Sequence, residues 1–119
     1  MSVLAHIGIW CYGYVALIPD ALLEEASRRF ALLGDPSRLR VLSVLHSAGE
    51  LPVGALAERS GLTRTNLSQH LSRLAVAGFV ARRRSGTTIY YRIVDESLTE
   101  LCDLVCSSLR ERGRALAAS

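Results

Sequence analysis

Residues 60–78, SGLTRTNLSQHLSRLAVAG, constrain the fold more than any other part of this chain, because they delimit one short helix from both ends. Ser60 and Gly61 make a turn, Thr63 is placed to cap the helix N-terminus, and Gly78 stands where a helix C-cap glycine belongs. About 14 helical residues fit between those signals. Leu67, Leu71 and Leu74 recur at helical spacing and predict a core-facing side. Arg64, Thr65, Ser68, Gln69 and Ser72 then fall on the opposite side. Arg, Gln and Ser/Thr side chains are the usual readers of base edges in a DNA major groove. An ordinary solvated helix has a partly similar face, so the stretch alone leaves both readings open.

Charge distribution favours the first reading. Between Arg59 and Val94 there are seven arginines and no acid, whereas the rest of the chain sets seven arginines against eleven acids, a balance of −4. A basic middle between acidic flanks is the pattern of a polyanion-binding face, while a merely solvated face mixes both signs. All 14 basic residues are arginine, which suits bidentate contacts with phosphate and guanine but also follows from genomic base composition. At 119 residues and 50% apolar composition, the chain is sized for one globular domain with its own core.

Three scattered cysteines, Cys11, Cys102 and Cys106, do not make a secreted disulfide framework, and a reducing cytoplasm is expected. Residues 1–18, MSVLAHIGIWCYGYVALI, are apolar but carry no Lys or Arg for a signal-peptide n-region and sit at the bottom of the length range for a membrane span. They are read as an extension that packs on the protein or on a second subunit, leaving 19–119 as the DNA-binding and dimerisation domain. No membrane partner is expected.

Asp20 is expected to cap a first helix whose apolar stripe is Leu22, Leu23, Ala26, Phe30 and Leu33, ending at Gly34. Asp35-Pro36 restarts a helix, with Asp as cap and Pro at the first helical position, running to Ser47–Gly49. After an extended piece at Glu50–Pro52, Val53–Arg59 forms a short helix that precedes the 60–78 stretch, and the pair makes a helix-turn-helix. Phe79–Arg84 and Thr88–Val94 read as strands joined by a turn at Ser85, Gly86 and Thr87, with Ile89, Tyr91 and Ile93 on one side. A hairpin directly after such a helix is a wing, and its tip carries Arg82, Arg83 and Arg84, suited to a phosphate backbone or a minor groove. Asp95 caps a last helix, about Glu96–Ala117, striped by Leu98, Leu101, Cys102, Val105 and Leu109. The expected fold class is therefore mainly α with a small β-hairpin wing, a winged helix-turn-helix that dimerises through its N- and C-terminal helices.

The segments FALLGDPSRLRVLSVL and GELPVGALAERSGLTRTNLSQHLSRLAVAGFVARRRSGTTIYYRI resemble the ArsR/SmtB type of bacterial winged-helix transcriptional repressor, over roughly residues 22–110. The resemblance implies a homodimer on a palindromic double-stranded operator, with one recognition helix per half-site, released by an inducer that is commonly a metal ion or metalloid. It implies DNA contacts from Thr63, Arg64, Thr65, Asn66, Ser68, Gln69, His70 and Arg73 of the helix and from Arg82, Arg83, Arg84 and Thr87 of the wing, with His70 either touching DNA or supporting the helix.

The family's sensor patterns do not carry over. Where metalloid sensors read E-L-C-V-C-D-L, this chain has Glu50-Leu51-Pro52-Val53-Gly54-Ala55-Leu56. The zinc or nickel pattern of the last helix falls on Asp95, Ser97, Ser108 and Glu111, with both imidazoles gone, and a third pattern places its cysteines at Arg73 and Ala77. What remains is Cys102 and Cys106, four apart on one helix face, with Cys11 in the extension and His6 as a further conceivable ligand. Thiolates gathered there favour soft ions such as Hg(II), As(III), Cd(II) or Pb(II). The same sulfurs also suit a redox switch, or simple packing, since Cys is a good small hydrophobe. His46 reads as structural at a helix C-terminus. A winged helix that binds protein rather than DNA is the competing class, and no catalytic constellation points to an enzyme.

Overall fold

The structure is a computed structural model that describes residues 19–118, so the readings that fall on residues 1–18, Cys11 and His6 among them, lie outside the described residues. The chain divides into two compact units, with the boundary between Leu33 and Gly34.

Of the first unit, the structure describes helix α1 (Asp20–Leu33). Leu23 N–H donates to the Pro19 carbonyl, so the cap position is Pro19 and Asp20 opens the first turn, where the helix dipole favours its charge; the expected capping role of Asp20 is corrected accordingly. Glu25 pairs with Arg28 and Arg29 at helical spacing. Leu22, Leu23 and Phe30 of the predicted stripe are all more than half exposed in the single chain.

The second unit holds α2 (Pro36–Ala48), β1 (Glu50–Pro52), α3 (Val53–Ser60), α4 (Arg64–Val76), β2 (Val80–Ser85), β3 (Thr88–Ile93) and α5 (Glu96–Ala118). The Asp35 carboxylate accepts from Arg38 N–H at 2.9 Å and Pro36 sits at the first helical position, so α2 starts where the sequence predicts. Val41, Leu42 and Leu45 of α2 are fully buried with Leu56 of α3 and Leu67, Leu71 and Leu74 of α4. Burying each such leucine contributes roughly 1.5–3 kcal/mol, and together they hold the three helices as one core. Phe79, Val80 and Leu98 extend it under the sheet and the start of α5.

Helix α4 has the predicted ends. Thr63 Oγ1 accepts from Asn66 N–H at 3.1 Å. At the other end Phe79 N–H donates to Leu74 O and Gly78 N–H to Ala75 O, with Gly78 at φ +82°, the paired bonds of a Schellman motif. Phe79 and Leu74 are both buried, which adds the apolar contact that accompanies this motif.

The wing contains one strand more than the hairpin expected. β1 pairs antiparallel with β3, giving a three-stranded sheet in the order β1-β3-β2, with Glu50 opposite Arg92 and Leu51 opposite Tyr91. The hairpin turn is Gly86-Thr87, with Gly86 at φ +62° in the first central position, where a tight hairpin turn of the right twist needs it. Among the described residues no helix is long and apolar enough to cross a membrane.

Candidate nucleic-acid interface and sensor cysteines

The turn between α3 and α4 depends on Gly61, in the left-handed conformation at φ +73°, whose N–H donates to Ala57 O. It leaves the apolar side of α4 in the core and presents Arg64, Thr65, Asn66, Ser68, Gln69, Ser72 and Arg73 to solvent. Thr63, exposed, has its hydroxyl engaged in the cap. The Arg64 guanidinium lies over the first turn of α3: a Cβ at Gly54 would stand 3.0 Å from its Nη2, so glycine there leaves room for it.

His70 is the exception on this helix. It is half-buried on the flank of α4, with Nδ1 3.5 Å from Arg38 Nη1, beside the capped start of α2. This contact ties the flank of α4 to the start of α2.

Strand alternation separates the three wing arginines. Register places Arg82 opposite Tyr91 and Arg84 opposite Ile89, on one face of the sheet, and Arg83 opposite Tyr90 on the other. Arg82 is exposed and makes no hydrogen bond or ion pair among the described residues. Arg84 Nε donates to Gly86 O at 3.1 Å, bracing the turn beside exposed Thr87. Arg83 reaches across the central strand to Glu50: Nη2 stands 2.7 Å from Oε1 and Nε 3.3 Å from Oε2, while the guanidinium carbon lies 4.5 Å from the Tyr90 ring centroid. Those bonds hold the Glu50 carboxyl below the usual carboxylate range and raise Arg83 further above neutrality.

Glu50 is the residue that the sequence reading overlooked. The window from Arg59 to Val94 is free of acids along the chain, yet β1 carries an acid from outside it into the midst of Arg83 and Arg92. The extended reading of Glu50–Pro52 was the available signal, but only pairing with β3 shows which arginines the carboxylate meets.

Cys102 is half-buried and Cys106 exposed on α5. Burial pushes the Cys102 thiol up, and the neighbouring Cys106 and Asp103 act in the same direction. Cys11, the third expected ligand, lies outside the described residues. Among the described residues no three His, Cys, Asp or Glu side chains gather as a metal site. Asp95, at the position of the family's zinc pattern, serves as a helix cap and accepts from Ser97 N–H at 3.0 Å, while Ser108 and Glu111 are exposed. His46 Nε2 stands 3.4 Å from Asp103 Oδ1, joining the end of α2 to α5.

Residues 33–83, the core helices and first wing strand, match a helix-turn-helix domain family. The HTH-type transcriptional regulator KmtR of Mycobacterium tuberculosis is 42% identical over 84 residues, which cover 71% of this chain and 64% of KmtR. The arsenical resistance operon repressor of Bacillus subtilis is 31% identical over 93 residues, covering 77% of this chain and 89% of that protein. This chain belongs to the ArsR/SmtB family of winged helix-turn-helix transcriptional regulators.

Solved structures agree with the assignment. The AntR antimony-specific transcriptional repressor superimposes with a TM-score of 0.76 at 33% identity, over 82% of this chain and 88% of that one. The homodimeric winged helix-turn-helix DNA-binding domain Mb0332 from Mycobacterium bovis, a possible ArsR-family regulator, gives 0.70 at 37% identity, over 77% and 84%. The chain spans less than two thirds of KmtR's length. In this ArsR/SmtB-family chain α3 and α4 form the helix-turn-helix and β2–β3 the wing hairpin.

Proposed function

We propose that this ArsR/SmtB-family protein is a cytoplasmic, homodimeric repressor that binds a palindromic operator and releases it when a thiophilic ion binds near α5. The observation that carries the reading is the outward face of α4, where Arg64, Thr65, Ser68 and Gln69 project together beside a wing that presents Arg82. Bases are read from α4, with Asn66 and Arg73 at its edges; Arg82, Arg84 and Thr87 meet phosphates. Residues 19–119 act as the DNA-binding and dimerisation domain. The exposed apolar residues of α1 and α5 support a second copy as partner.

The inducer half of the reading is supported by the likeness to a repressor of arsenical resistance and to an antimony-specific one. Cys102 and Cys106, one helical turn apart, are the thiols that hold such an ion, with Cys11 as the third. Because α5 also carries the exposed stripe, an ion bound there changes the angle between subunits and so the spacing of the two recognition helices. The half-burial of Cys102 and its raised thiol favour a second reading, in which the pair packs and the signal enters elsewhere.

Operator affinity measured against salt, then against Hg(II), As(III), Cd(II) and Pb(II), tests both halves. The wild type should show a steep negative slope that Arg82→Ala reduces by about 1 per wing, and a flat profile sinks the DNA reading. One of the ions should lower affinity in the wild type and not in Cys102→Ser. An equal response of the two proteins assigns the cysteines to packing.

A further inference from the structure

We propose that Glu50 sets the DNA affinity of the wing, by holding the Arg83 guanidinium with a carboxylate where a DNA phosphate would otherwise take it. The inference rests on the DNA-binding reading above and says how one residue outside the helix-turn-helix regulates it.

Four side chains line up across one face of the sheet. Register pairs Glu50 with Arg92, and Arg83 with Tyr90, and Tyr90 and Arg92 are two apart on the central strand, so all four point to the same side. Arg83 crosses that strand with its guanidinium over the Tyr90 ring and offers Nε and Nη2 to the two carboxylate oxygens. Two parallel N–H donors on two oxygens is the geometry by which arginine also grips a phosphate. Both partners remain partly exposed, Arg83 at 48% and Glu50 at 31% of their side-chain surface. An exposed pair of this kind is weak enough for a phosphate to compete with, and strong enough to shift the balance. Arg82, on the other face, has no such competitor.

The consequence is specific. With Glu50 in place the wing contributes fewer phosphate contacts than its three arginines imply, and the protein discriminates better against non-specific DNA, whose affinity is almost wholly electrostatic.

The test is a cycle of wild type, Glu50→Gln, Arg83→Ala and the double variant, each titrated with non-specific duplex at rising salt, with thermal melts to establish that all four fold. Glu50→Gln keeps the shape and removes the charge. It should bind about threefold to tenfold tighter at low salt, with a slope steeper by about 0.9 for each phosphate gained. That gain should vanish when Glu50→Gln is introduced into Arg83→Ala, which separates release of Arg83 from the general effect of losing an acid. A Glu50→Gln protein whose slope is unchanged or shallower overturns the inference and makes Glu50 a brace for the wing, leaving the DNA reading intact. A gain that survives in the double variant also overturns it. If the wild type itself shows no salt-dependent binding, the DNA reading fails and the inference with it.

Discussion

Arg83 shows how one side chain can belong to two accounts. Its position in a run of three arginines marks it for phosphate, whereas its side chain is committed to Glu50 and Tyr90. Asp35 is another residue whose charge has local work, since its carboxylate caps α2 and the bond from Arg38 N–H holds its pKa below the ordinary value. A carboxyl whose folded pKa is depressed adds stability above its unfolded pKa and loses it as pH falls through the lower, folded value. Asp35→Asn keeps a capable neutral cap. Its stability near neutral pH should stay close to wild type, while the decline below the ordinary carboxylate range should flatten. Denaturant melts across that acid range check this, and curves of equal steepness for the two proteins would exclude Asp35 as a contributor.

At the scale of elements, the recognition helix is set by its ends. Gly78 and Gly113 have open space where a Cβ would go, but only Gly78 has a positive φ, +82°. Alanine therefore has opposite effects at the two sites for reasons of backbone alone. Gly78→Ala should destabilise the protein by about 1–3 kcal/mol, through strain in the left-handed turn that aims Phe79 into the core. Gly113→Ala, inside α5, should be neutral to about 1 kcal/mol more stable, through helix propensity. Paired denaturation curves decide it, and a shift of the same sign for both would refute the argument. The elements were largely legible: Thr63, Gly78 and the Asp35-Pro36 restart carry local chemistry that needs no partner. Asp20 was misplaced by one position because Pro19, which cannot donate but can accept, takes the cap.

Over the whole molecule, the apolar residues left outside the core support the proposal of a second copy as partner. Leu104, Val105 and Leu109 on α5 remain at least half exposed or close to it, as do Leu22 and Phe30 on α1. Stripes of this kind on terminal helices are the feature from which dimerisation was expected, and Mb0332, of the same fold, is homodimeric. Leu109→Glu should shift this protein towards monomer and weaken operator binding, because half-sites then bind singly. Sedimentation at several concentrations gives the answer; a wild type that stays monomeric, or a variant that dimerises as well as wild type, would count against α5 as the interface.

Sequence by itself determined the helix-turn-helix, the wing hairpin and the polar face of α4, because caps, turn glycines and apolar periodicity act over a few residues. It also carried the family resemblance, which the relatives bear out. Only the tertiary structure decided which charges meet. Glu50 lies 33 residues from Arg83 along the chain, and strand pairing, a non-local event, brings its carboxylate onto the guanidinium. Likewise the side of α4 on which His70 sits is periodic and readable, but its meeting with Arg38 depends on how α4 packs beside α2. Short-range geometry wrote the elements; the packing of distant segments chose the partners.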